Sequence, residues 1–236
     1  MTAMSDPKMT HEDDAAPPEA LRRAILANLK PVRPLAPPFQ RSILLVPWAL
    51  LALATFWSKF GFRPDLPQLG AVLAWGLSIA QLLLALMVAA GSLRESTPGS
   101  GLPRATLWAC ALGAFGFHLA GLALAFQRSP FPAPPGLASV ELHACLYYEF
   151  LIATPLLLIG LWLLNRGLPF RPATAGALAG LAAGLLADSS WRLICPFTFP
   201  SHVLPSHTGP ILAMVAIGAG LGAILERFTR RSFGHG

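Results

Sequence analysis

The stretch 143-HACLYYEFLIATPLLLIGLWLLN-165 decides the fold. Apart from His143 at its head, Glu149 is its only acidic or basic residue. As a helix rising 1.5 Å per residue, it is long enough to cross a hydrocarbon core of roughly 30 Å. Five further runs of similar character flank it, at 42–60, 69–90, 105–126, 173–194 and 208–226. Gly-, Pro- and Arg-marked connections separate them. The pattern predicts an all-α fold, a polytopic membrane helix bundle of six transmembrane helices over 42–227. A cytoplasmic arm (1–41) and a short tail (228–236) flank it.

Composition agrees with lipid as the main solvent. Apolar residues make up 54% of the chain and charged residues 12%, about half the charge of an ordinary soluble domain. The formal charge of +6 could suggest nucleic acid in a soluble protein. Here Lys and Arg sit between the apolar runs and no basic-aromatic module accompanies them, so direct nucleic-acid binding is not expected. No cleavable signal peptide is expected either, because the first apolar run begins near Ile43, late for an h-region.

Basic loops stay cytoplasmic, so counting Lys and Arg orients the bundle. The arm, the second and fourth loops and the tail carry thirteen of them; the other side carries Lys59, Arg63, Arg128 and Arg192. Both termini are therefore expected in the cytoplasm, with the spans in a bacterial inner membrane. Gly176, Gly180 and Gly184 repeat every four residues on the fifth run, and Gly218 with Gly222 on the sixth. In lipid such small-residue faces let backbones approach closely. Pro47 and Pro155 fall within runs one and four and predict local kinks. No internal repeat of the kind many transporters show is visible.

The arm contains one amphipathic segment, about 18–30, in which Leu21, Ile25, Leu26 and Leu29 form an apolar stripe. Pro31 stops it, and a Pro-rich connector leads to the first span. A helix this short is marginal alone in water. Its stripe needs either the membrane interface or the groove of a soluble partner.

Chemistry-bearing residues gather on the outer side. Cys145 opens the fourth run and Cys195 follows the fifth. His143, Glu149, His202 and His207 are their neighbours in sequence, while His118 and Asp188 lie deeper. Thiolates and imidazoles suit soft or borderline metals, and two cysteines facing an oxidising compartment can form a disulfide. Both can equally be small buried residues at helix ends. No C-x-x-C motif marks a fast thiol-disulfide enzyme, and no catalytic motif of known spacing occurs, so no enzyme is expected. Asp188 and Arg192 are four apart and read as a structural ion pair. A small metal-handling transporter or permease, using His118, Glu149 and Asp188, is the rival reading. It lacks a polar path in runs one, two and six.

Several segments together resemble the NrsF-like negative regulators, six-span membrane anti-sigma factors of Gram-negative bacteria. They are Leu29-Lys-Pro-Val-Arg-Pro-Leu35, Gly61-Phe-Arg-Pro-Asp-Leu66, Cys145 with Glu149, Asn165-Arg-Gly-Leu-Pro-Phe-Arg-Pro172, and Arg192-Leu-Ile-Cys195-Pro followed by His207. The resemblance spans about residues 20 to 228. It implies an extracytoplasmic-function sigma factor as cytoplasmic partner, released on envelope heavy-metal or oxidative stress. It also implies Cys145 and Cys195 as the sensing pair; by their nearness in sequence, His143, Glu149, His202 and His207 are the candidate supporting ligands. No resident cofactor is required, only a transient heavy-metal ion as inducer. An arm of about 42 residues is too short for a folded anti-sigma domain, so docking would fall to Leu21, Ile25, Leu26 and Leu29.

Overall fold

The structure, a computed structural model, describes residues 18–28, 34–97, 99–128, 138–167 and 169–233; side chains are described for these except 138–142 and 228–233. The chain divides into two compact units, Met1–Leu35 and Ala36–Gly236. The first contains helix α1, Glu19–Asn28. Glu19 occupies its first turn, where an acid suits the helix dipole, and Asn28 closes it by donating to the Ala24 carbonyl at 2.8 Å. Leu21, Ile25 and Leu26 are all at least half exposed. Leu29, the fourth member of the predicted stripe, lies outside the described residues.

The second unit is all-helical among its described residues. Helix α2 (Pro38–Phe60), α3 (Leu66–Arg94), α4 (Arg104–Arg128), α5 (Ala138–Asn165) and α6 (Pro172–Trp191) are followed by α7, Pro200–Arg227 and on to Phe233. Gly61 ends α2 with φ +74° and ψ 179°, an extended positive-φ conformation that glycine adopts without a Cβ penalty. Near Pro47 the regular winding of α2 is interrupted, as the sequence predicts. A 3-10 turn at Ile43–Leu45 precedes Val46–Phe60, and Pro47 falls in the first turn of that stretch, where a missing N–H costs little. Pro155 does lie within α5.

The surface and interior are inverted relative to a soluble protein. Leu51, Ile79, Met87, Leu112, Leu158 and Leu212 are exposed, while Gln81, His118, Glu149, Asp188 and His207 are buried. An outer face this apolar is of the kind that packs against a partner or a membrane. Among the described residues, five helices are long and apolar enough to cross a membrane: α2, α3, α4, α7 and the stretch His143–Asn165 of α5.

The expected count of six requires correction. The predicted run at 173–194 is α6, which is not among those five. Almost every residue from Ala175 to Trp191 is buried, so its solvent is protein. It is built from Ala, Gly and Ser with few large side chains, and such a composition is tuned for close packing rather than for contact with lipid tails. Helix α6 is the axis of the bundle. Gly176 meets the Gly218 backbone, Gly180 meets Met214 and Gly184 meets Ile211, so α6 and α7 run antiparallel with their backbones in contact. A Cβ on Gly176 or Gly180 would land on a facing carbonyl. Helix α3 also runs antiparallel to α6: Gln81 donates to the Leu185 carbonyl at 3.1 Å and Ser92 to that of Ala175 at 2.7 Å.

The last helix also begins earlier than its pattern suggested. Residues 200–207 read as loop because Pro200 and Pro205 interrupt them, yet they are helical. Pro200 takes the first helical position, where proline is preorganised, and a π-turn over Leu204–Thr208 accommodates Pro205. That wide turn carries His207 into the bundle.

Candidate thiol and metal site

Helix α6 delivers Asp188 and Arg192 from one face, then continues as tight turns through Cys195, whose N–H donates to the Trp191 carbonyl at 2.9 Å. Pro196 follows and cannot extend the helix. The carbonyls left open there are collected by Arg63, from the turn between α2 and α3. Its guanidinium donates to the carbonyls of Arg192 and Pro196, each at 3.2 Å, and its own N–H to that of Leu193 at 3.1 Å. The segment carrying Cys195 is thereby tied to a loop remote in sequence.

Opposite it, the first turns of α5 bring Cys145. The two sulfurs lie 3.5 Å apart, both buried, and the Cys195 sulfur is 3.4 Å from His202 Nε2 in the first turn of α7. Both cysteines are free thiols. Burial pushes the Cys195 thiol well above the ordinary thiol range. Phe56 packs edge-on against Tyr148 and Trp191, whose own rings are tilted and 4.9 Å apart.

A second group begins one helical turn further along α5. His207 Nδ1 is 2.8 Å from Asp188 Oδ1 and 3.1 Å from Glu149 Oε1. The remaining Asp188 oxygen faces Gln81 Nε2 at 2.6 Å, His118 Nδ1 at 3.1 Å and Arg192 Nε at 3.5 Å. Two donor sets result, Cys145/Cys195/His202 and Glu149/Asp188/His207. Within each, one donor atom per residue falls within 4.8 Å of the others. The His202 and His207 rings, 5.8 Å apart, join them. A cavity of about 30 Å³, room for about one water, opens beside them and is lined by Arg63, Arg192, Cys195 and His207 among others.

Cys145, Cys195, Glu149, His202 and His207 are thus brought together. His143 is exposed and belongs to neither set. The Asp188–Arg192 pair exists, but it is one arm of a larger network, so its reading as a simple ion pair was too small. Gln81 and Thr208, whose hydroxyl lies 3.1 Å from His118 Nε2, were not anticipated. Gln81 did carry a signal, as the lone amide in an otherwise apolar run.

A family profile described as "Negative regulator of sigma F" (NrsF) matches residues 26–228. The chain belongs to the NrsF family. The match takes in α2 to α6, nearly all of α7 and both donor sets. Membership makes the chain a negative regulator whose partner is a sigma factor. Searches of curated proteins and of solved structures found no match.

Proposed function

We propose that this NrsF-family chain is a membrane-bound anti-sigma factor, with no enzymatic step, that holds an extracytoplasmic-function sigma factor through α1. It releases that factor when a thiophilic metal or an oxidant engages Cys145 and Cys195 from the periplasmic side. The single observation that carries this reading is the approach of two free, buried sulfurs to 3.5 Å from different elements of the bundle. The strong bias of Lys and Arg to the opposite side supports placing the sulfurs outside and both termini in the cytoplasm of a bacterial cell.

Either stimulus changes the same geometry. A soft divalent ion would replace the thiol protons and draw both sulfurs to about 2.3 Å from itself, with His202 as third ligand. A hydroperoxide would instead join the sulfurs: its O–O bond breaks, taking two electrons and both thiol protons to leave as alcohol and water. Both events move α5 against the α6–α7 turn. A signal acts only if it stabilises the releasing arrangement over the holding one. About 3 kcal/mol suffices to shift that ratio more than a hundredfold.

The test is a sigma-dependent reporter in cells carrying Cys145→Ser with Cys195→Ser. Cadmium should leave the reporter silent, whereas the unaltered chain should induce it. Equal induction in both would overturn the sensing assignment.

A further inference from the structure

The second donor set has a chemistry of its own. Glu149, Asp188 and His207 come from three different helices and each is at most 2% exposed. His207 Nδ1 gives its hydrogen bond to Asp188 and meets Glu149 Oε1 only as an ion-pair contact at 3.1 Å, so neither oxygen of Glu149 accepts a full hydrogen bond. A fully buried carboxylate in that condition is costly. Arg192 does not relieve it, because its guanidinium pairs with Asp188. His207 Nε2 is also without a partner.

Asp188 is oriented as a ligating carboxylate would be. Gln81, His118 and Arg192 all engage Oδ2, which leaves Oδ1 facing His207 and Glu149. Outer partners that hold a ligand in this way are the usual support of a metal site. Two carboxylate oxygens and one imidazole nitrogen match zinc-class ions, which take such donors at about 2.0–2.2 Å. His207 Nδ1 lies 2.8 Å from Asp188 Oδ1 and 3.1 Å from Glu149 Oε1, so these pairs would open by up to about 0.6 Å to reach the roughly 3.4 Å separation of tetrahedral ligands.

We propose that Glu149, Asp188 and His207 form a second cation site, for a borderline divalent ion of the zinc class, that does not depend on the cysteines. The adjoining sets then divide metals by softness: sulfur for soft ions, oxygen and nitrogen for harder ones. Gln81 is a positioning residue, acting through Asp188. The cavity that reaches His207 and Cys195 serves both sets.

The full-length chain carrying Cys145→Ser and Cys195→Ser, purified in lipid nanodiscs, is titrated with Co2+ as the probe. One Co2+ per chain should bind, with d–d bands and no sulfur-to-cobalt charge transfer. Adding Glu149→Gln should weaken binding more than a hundredfold, and adding Gln81→Leu roughly ten- to hundredfold. The absence of stoichiometric Co2+, which a proton shared by His207 and the carboxylates would produce, overturns the site; so does binding indifferent to Glu149→Gln. Should the variants fail to fold, the wild-type chain is loaded with one equivalent of Cd2+ and then given Zn2+. Zinc-edge absorption should report a nitrogen and oxygen shell, and no bound zinc or a sulfur-containing shell refutes the site. Neither arm reads sigma-factor release, so failure here is separate from failure of the sensing role.

Discussion

Arg63 and Asp65 form a buried two-pronged ion pair, Nε to Oδ1 at 2.6 Å and an η nitrogen to Oδ2 at 2.7 Å. Its remaining reach goes to the turn that carries Cys195. The Gly61–Leu66 segment is therefore a brace that ties the turn carrying Cys195 to the loop between α2 and α3. Asp65 aligns the guanidinium, and the guanidinium collects the carbonyls that α6 leaves open at its end.

Removing one partner of a buried pair strands the other, at a cost of about 3–5 kcal/mol. Arg63→Met should lower the unfolding midpoint of the purified chain markedly. Arg63→Met combined with Asp65→Leu should recover part of the loss, because no charge is then left buried. Equal melting of the single variant and wild type would show that the brace contributes nothing.

Cys145 and Cys195 are close enough to join. A disulfide needs about 2.05 Å between sulfurs, so they must close from 3.5 Å. In a Cys110→Ser background, a hydroperoxide should produce a chain lighter by two hydrogens, with the bridge mapped to these two residues. His202→Ala should leave that oxidation intact and weaken Cd2+ binding roughly tenfold or more. If His202→Ala leaves Cd2+ affinity unchanged, the third ligand is misassigned.

How much of this was legible in the sequence depends on what each residue answers to. The five membrane-length helices declared themselves, since crossing a hydrocarbon core requires a continuous apolar run. Helix α6 did not, because packing against α3, α5 and α7 selects small residues instead, and a hydropathy reading counted it with the others. Its glycine spacing was the better guide, and the α6–α7 contact follows it residue by residue. The thiol pair was readable from depth along neighbouring helices. The Asp188 network was only half readable. Arg192 is four positions away in sequence, whereas Gln81, His118 and His207 arrive from other helices, and no local spacing encodes them. The entry of His207 into the bundle also depended on a π-turn that the prolines disguised as loop.

The glycine contact supplies its own check. Gly180 lies against the Met214 carbonyl, so Gly180→Val must push α6 from α7 along its whole face. Overpacking of this kind costs about 1–3 kcal/mol or more. Gly220, beside which a Cβ meets nothing within 4 Å, is the matched control. Thermal melting in detergent should fall for Gly180→Val and stay near wild type for Gly220→Ala. The reverse order would mean that α6 does not pack on α7 through this face.

The arm carries the last prediction. Leu21, Ile25 and Leu26 are exposed on one short helix, and burying side chains of this size contributes about 1.5–3 kcal/mol each. If α1 is the segment that docks on the sigma factor, changing all three to Asp removes that burial and adds charge at the contact. Affinity for the purified sigma factor should fall at least about a hundredfold, since each 1.4 kcal/mol is tenfold, and the reporter should be active without any stimulus. The cysteines and the bundle are untouched by these changes, so thermal melting and Cd2+ binding should match wild type. A triple variant that still retains the sigma factor at wild-type affinity would place docking on another segment of the chain.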